Sequence, residues 1–140
     1  MKLKKNVIST IIVILLLISV YFAYTYYNGP KIIEAVVSKS IDDNGRPISI
    51  TTKFSPEDIV CFAAKGNRFW VKEAQVVWYK GKVETANRFL VEEDIVINDA
   101  GYFSTKLSVP EGLEEGHYSV SVYVNGRDVI ETHTEFDVKR

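Results

Sequence analysis

The sequence predicts an all-β domain, an antiparallel sandwich or barrel of seven to eight strands, carried behind one N-terminal transmembrane helix. Three observations predict it. An uncharged run from Val7 to Tyr27 stands at the N-terminus. Past Pro30 no window keeps a 3.6-residue apolar period. Short β-rich runs recur there about every ten residues, separated by Gly, Pro, Asn and Asp.

The uncharged run comes first. Its 21 positions, rising about 1.5 Å each in a helix, reach about 31 Å, close to the roughly 30 Å hydrocarbon core of a bilayer. Ser9, Thr10, Ser19 and Thr25 interrupt it, but hydroxyls bond back to helix carbonyls and are tolerated. Tyr21, Phe22, Tyr24, Tyr26 and Tyr27 gather at its far end, as amphipathic rings do at headgroup level, and Asn28-Gly29-Pro30 stops the helix. A cleaved signal peptide would show a shorter apolar core followed by small residues; here tyrosines follow. No cysteine ends the run to accept a lipid. The expectation is an uncleaved single-pass anchor: residues 1–6 cytoplasmic, 7–27 in the bilayer, 28–31 a short linker, and 32–140 outside the cytoplasm. Lys2, Lys4 and Lys5 set the N-terminus inside.

Of 140 residues, those behind the helix make one ordinary domain with one core. All 18 acidic groups but only 14 of the 17 basic ones lie past residue 30, and a domain with that acidic excess is a poor partner for nucleic acid. A lone cysteine, Cys61, allows no intrachain disulfide, so stability must come from packing.

Strands are expected at 32–40, 47–54, 58–64, 69–80, 89–97, 102–109, 117–124 and 129–138, with turns at Asp42-Asp43-Asn44-Gly45, Ser55-Pro56, Lys65-Gly66-Asn67, Lys80-Gly81, Asn98-Asp99-Ala100-Gly101, Pro110-Glu111-Gly112 and Asn125-Gly126. Two strands alternate cleanly. Phe103, Thr105, Leu107 and Val109 oppose Ser104, Lys106 and Ser108; Tyr118, Val120, Val122 and Val124 oppose Ser119, Ser121 and Tyr123. In the last hairpin a two-residue Asn-Gly turn would leave Phe136 and Val138 facing water. A longer loop or a bulge, pairing Val122 with Ile130 and His117 with Glu135, turns both inward.

Val76-Val77-Trp78-Tyr79-Lys80-Gly81-Lys82 resembles the third strand of an immunoglobulin-like domain, where a tryptophan is buried ahead of a polar hairpin. Glu114-Glu115-Gly116-His117-Tyr118-Ser119-Val120 resembles that family's tyrosine corner, with Gly116, Tyr118 and Val120 in the motif's places. Cys61 falls where the first cysteine of the family's pair would stand. Valine at the second place removes the disulfide, as in the disulfide-free immunoglobulin-like modules of bacterial surface proteins. Phe54-Ser55-Pro56-Glu57-Asp58-Ile59 and the run 116–126 share that look, and the resemblance spans residues 47–138. It implies an immunoglobulin-like antiparallel β-sandwich with Trp78, Tyr118 and Cys61 in the core, and says little about function.

Each candidate site has an ordinary structural explanation beside the functional one. Cys61 reads better as an inert strand residue, with Ile59 and Ala63 on its face, than as a reactive thiol. His117 and His133, on one outward face with Glu135, would need a third strong ligand to hold zinc. Asp42-Asp43-Asn44-Gly45 lacks the spaced ligands of a calcium loop. Glu92-Glu93-Asp94 and Glu114-Glu115 read as solvated charge rather than paired acid and base. The sequence points to no metal, no cofactor and no catalytic set.

Two surfaces remain. Phe69, Val71, Val77, Tyr79 and Tyr123, flanked by His117 and His133, are expected to form an outward patch that marks a partner or dimer face. Alternatively, Phe69, Trp70 and Tyr79 stack on sugars or peptides of the cell wall, and exposure of Trp70 decides between the two. The sequence therefore predicts a non-enzymatic, membrane-anchored binding or assembly module of the cell envelope, held in the lipid bilayer through residues 7–27. Its partner is another envelope protein or a second copy. A pilin-like subunit ranks last, because the apolar run has no acidic residue near its start.

Overall fold

A computed structural model describes residues 2–140; Met1, part of the expected cytoplasmic segment, lies outside the described residues. The chain divides into two compact units, one ending at Pro30 and the other Lys31–Arg140.

The first unit is a helix, α1, Lys2–Asn28. It begins five residues ahead of the uncharged run and takes in the lysines expected to precede it. Lys4–Asn28 has a mean hydropathy of 2.6 over its most apolar window, none of it buried. Three of the hydroxyls are satisfied within the helix: Thr10 donates to Asn6 O (2.8 Å), Ser19 to Leu15 O (2.8 Å) and Thr25 to Phe22 O (3.0 Å). One such helix is that of a single-pass membrane anchor or a signal sequence.

The second unit is a two-sheet sandwich of nine strands: β1 Ile32–Ile41, β2 Pro47–Ile50, β3 Lys53–Phe54, β4 Val60–Gly66, β5 Glu73–Lys80, β6 Arg88–Val96, β7 Tyr102–Leu107, β8 Gly116–Val124 and β9 Ile130–Val138. One sheet runs β2-β1-β4-β7 and the other β3-β9-β8-β5-β6, all antiparallel except β3, which lies parallel to β9. Three expectations are corrected. The run 47–54 is two strands, because Thr51 and Thr52 carry the chain from one sheet to the other. Residues 69–72 form a loop rather than the start of β5. Val122 pairs with Thr132, two residues beyond the expected Ile130, so His117 sits opposite Asp137 instead of Glu135.

The β8–β9 bulge does occur, and it preserves the expected parity. Glu131 is the extra residue between the pairs Val122–Thr132 and Tyr123–Ile130. Phe136 and Val138 therefore face inward and are buried. The bulged carboxylate is used: Glu131 Oε1 accepts the Lys31 N–H at 2.9 Å and so fixes the start of β1.

Between the sheets lies one core of Val60, Phe62, Ala64, Val76, Trp78, Phe103, Tyr118, Val120, Val122, Phe136 and their neighbours. Trp78, at its centre, meets Phe62 and Phe136 edge-to-face at 6.2 Å each, and Tyr118 stacks on Phe136 at 5.3 Å. The Tyr118 hydroxyl donates to Glu114 O at 2.7 Å. A buried indole N–H must find an acceptor, and Trp78 Nε1 donates to Glu92 Oε1 at 2.7 Å. The other oxygen of that carboxylate accepts from Thr105 Oγ1 at 2.5 Å, so Glu92 on β6 ties the five-stranded sheet to β7 of the four-stranded one. Glu92 is thus not the solvated charge its acidic neighbours suggest.

Replacing Glu92 with alanine strands the Trp78 N–H and is expected to lower unfolding free energy by about 1–3 kcal/mol. Glu93→Ala, one residue on and exposed, should change it by less than about 0.5 kcal/mol. Urea titration followed by tryptophan emission checks both, and equal effects would remove Glu92 from the core's hydrogen bonding.

Candidate functional site

The outer face of the five-stranded sheet was the expected interaction patch, and its side chains do converge there. Val77 and Tyr79 from β5 and Tyr123 from β8 form one cluster, separate from the inter-sheet core. The patch is nevertheless covered. Tyr79 is 1% exposed and Val77 is fully buried, whereas Val71, expected beside them, lies in the 69–72 loop and is buried in the inter-sheet core instead. The cause is the connection between β5 and β6. The Gly81 N–H donates to His117 O at 2.7 Å and Ser119 Oγ to Gly81 O at 2.7 Å, bringing Val83 down onto the cluster. Gly81 makes this fold-back at φ +103°, a conformation that side chains resist.

Beneath that cover the hydroxyls satisfy one another. Tyr79 Oη lies 2.9 Å from Ser121 Oγ and 3.4 Å from Tyr123 Oη. Arg88 donates to Tyr123 Oη at 3.2 Å, and its guanidinium stands 5.9 Å over the Tyr79 ring. Burial pushes the Tyr123 phenol up from its ordinary value, and its bond to Tyr79 adds to this. The arrangement closes a face rather than presenting one.

The histidines also part company. His117 is held between two carboxylates, with Nδ1 2.8 Å from Asp137 Oδ1 and Nε2 3.5 Å from Glu135 Oε2. Its two ring nitrogens point to opposite sides, so these carboxylates cannot join one imidazole nitrogen on a single ion. The Asp137 hydrogen bond raises the His117 pKa above its ordinary value, against the opposing effect of burial and with help from Glu135. His133 sits opposite Ser121, further along the same pair of strands. Beside His117 a shallow groove of about 770 Å³ opens between β3 and the end of β9, with Lys53, Glu115, Asp137 and Arg140 among its walls.

Cys61 is buried, but on the outward face of β4: Val60, Phe62 and Ala64 take the core side, which corrects the expectation that Cys61 belongs to the inter-sheet core. It pairs with Ser38 on one side and Lys106 on the other. Burial raises its thiol pKa and Lys106 offsets part of that, so the protonated, unreactive form is favoured. The Asp42 turn commits its carboxylate locally, since Oδ1 accepts from both Asn44 and Arg46 N–H at 2.9 Å.

Exposed apolar surface lies elsewhere. Phe69 is 76% exposed and Trp70 37%, and their rings meet edge-to-face at 5.3 Å and 90°, but Tyr79, the third aromatic of the expected stacking site, is buried, so the three form no exposed line. On β6, Phe89, Leu90 and Val91 are exposed in succession. Sequence reasoning placed this strand, at 89–97, but not its exposed apolar surface, because its apolar residues are consecutive rather than alternating. A bulge between the pairs Trp78–Leu90 and Tyr79–Arg88 explains that lack of alternation.

No protein-family model matches the chain, and no curated protein is similar to it. Among solved structures, the crystal structure of the PmoD soluble domain from Methylocystis sp. ATCC 49242 (Rockwell) is similar, with a TM-score of 0.49 and 14% identity over 79% of this chain and 94% of that one. At that distance the likeness assigns no role to the present chain.

The raised pKa of His117 carries a sign. Its contribution to stability is fully present below the unfolded value of 6.5 and is lost as pH rises through the higher folded value. The wild type should therefore gain stability over His117→Gln in acid and lose that margin above neutrality. Urea unfolding of both proteins across pH 5–9 reads this directly, and a margin independent of pH would show that the ion pairs contribute nothing.

Proposed function

We propose that the chain is a membrane-tethered, non-enzymatic module of the cell envelope that binds another protein through one edge of its sandwich. In this reading residues 7–27 cross the bilayer, Lys2, Lys4 and Lys5 keep the N-terminus inside, and the domain lies outside the cytoplasm. The domain is read as immunoglobulin-like. The placement of Trp78, the Tyr118-to-Glu114 hydrogen bond and the parallel contact of β3 with β9 support that reading.

One observation carries the binding surface: β6 ends its sheet and leaves Phe89 (45% exposed), Leu90 and Val91 (42%) in a row on an edge with no further strand beyond it among the described residues. An open edge offers unpaired backbone groups to an added strand, and apolar side chains there hold it. The far half of β6 is blunted, because Glu93 and Asp94 are acidic and exposed and Asp94 sits at φ +57°, so pairing is confined to the stretch around 88–91. The non-enzymatic part of the reading is supported by the hydroxyls that do converge. Tyr79, Ser121 and Tyr123 are buried against one another and reach no open cleft.

A photoreactive benzoylphenylalanine at position 89 of the full chain, activated in native membranes, should give one discrete crosslinked product that Val91→Glu abolishes. A product at twice the chain mass identifies a second copy, and any other mass a different protein. The same set of products from a probe at Lys139, an exposed site off β6, would sink the edge reading.

A further inference from the structure

The end of the sandwich at which β1 begins is assembled from three loops that are stapled together. Lys31 N–H reaches Glu131, Asn67 N–H donates to Lys31 O at 2.9 Å, Gly66 N–H to Gly101 O at 2.8 Å, and Ile97 N–H to Lys72 O at 3.0 Å. Loop 67–72 is thereby fixed beside the point where the chain enters the domain. The same end carries much exposed apolar surface: Phe69, Trp70, Val96, Val129 and Ile130. Arg68 and Lys72 flank the two aromatic rings, and Arg127 stands on the neighbouring β8–β9 loop.

We infer that this end is a membrane-interface seat, in which Phe69 and Trp70 enter the headgroup layer of the bilayer and Arg68, Lys72 and Arg127 meet anionic lipid. The inference rests on the reading that the apolar helix spans the membrane. Only Gly29, Pro30 and Lys31 separate Asn28, the last helical residue, from Ile32. Four steps of extended chain cover at most about 14 Å, while the headgroup layer is itself roughly 5–8 Å deep. The loop beside Ile32 is therefore held within reach of the lipid surface by covalent geometry alone.

The chemistry of the loop fits that position. An indole favours the boundary between hydrocarbon and water, where its apolar body and its polar N–H are both satisfied, and the phenyl beside it adds apolar area for the acyl-chain side. Cationic side chains next to them are drawn to anionic headgroups. A sugar-stacking platform fits less well, because two rings at 90° present no common plane to a ligand.

The two tryptophans make the test direct, since Trp78 is sealed in the core and Trp70 is not. Full-length protein is reconstituted into nanodiscs of phosphatidylcholine and phosphatidylglycerol, with and without bromine on the upper acyl chain, and emission is excited at a wavelength selective for tryptophan. The expected result is that brominated lipid removes the Trp70 share of the wild-type emission and none from Trp70→Phe. Equal quenching of the two proteins overturns the inference. So does a Trp70 that acrylamide quenches from water while brominated lipid leaves it untouched, the behaviour of a loop offered to a soluble ligand. Protection of the helix from protease in the same nanodiscs reads the spanning assumption separately, so a helix that inserts beside an unquenched Trp70 refutes the seat alone.

Discussion

An indole can be sealed in an apolar interior only if its N–H keeps an acceptor, and the sandwich is organised around that requirement at Trp78. The acceptor is a carboxylate, itself costly to bury unless its oxygens are bonded. Glu92 meets both needs by standing at the open side between the sheets, with one oxygen on Trp78 and the other on Thr105. The pair fixes how far β6 and β7 can separate. Phe62, Phe136 and Tyr118 pack around the indole in edge-to-face and stacked contacts beside that tie. With no disulfide available, this polar tie and the aromatic cluster it positions supply the cross-sheet restraint that a covalent bridge supplies in other small domains.

The outer faces are closed by the chain's own connections. On the five-stranded sheet the 81–87 turn brings Val83 over Tyr79 and Tyr123, and Ser119 and Ser121 beneath it are buried yet bonded. On the other sheet the β1–β2 hairpin folds back until Gly45 O accepts from Asn98 Nδ2 at 3.1 Å, and that amide also lies 3.4 Å from Ser104 Oγ on β7. The hairpin starts from β1 and reaches β7, two strands away, so it passes over β4. That path accounts for the burial of Cys61 and Ala63 on the outward side of β4. With both faces covered, the surface left for recognition is at the edges and ends.

Alternation made much of the sandwich legible. Where one face of a strand is buried and the other wet, as in β7 and β8, the period of two survives in the sequence and fixes both strand and face. Parity in the last hairpin was legible for the same reason, since only one setting buries Phe136 and Val138. The offset of two residues was not, because sliding by two keeps every side chain on its face and changes only the cross-strand partners. What β5 and β8 hid is more instructive. Tyr79 and Tyr123 alternate like surface residues, and nothing in their spacing announces that a glycine turn at residue 81, distant from Tyr123 along the chain, will fold over them. A polar connection with a single valine carries no period, so its cover is visible only in three dimensions. Glu92 hid for the opposite reason: it stands among acidic neighbours that are solvated, and only the geometry of Trp78 distinguishes it.

An edge of about four residues is a small interface. Buried area of that order falls well short of the roughly 1,200 Å² of a stable complex, so β6 alone would bind a soluble partner weakly. A membrane helix changes that arithmetic. Two proteins held in one bilayer meet at an effective concentration set by the plane they share, and a contact too weak to survive dilution can then be occupied without any added surface. If the helix spans the bilayer, as proposed, it and the half-blunted β6 would work together: the blunted half would discourage indiscriminate strand addition, and the tether would let the remaining apolar stretch serve a partner in the same membrane.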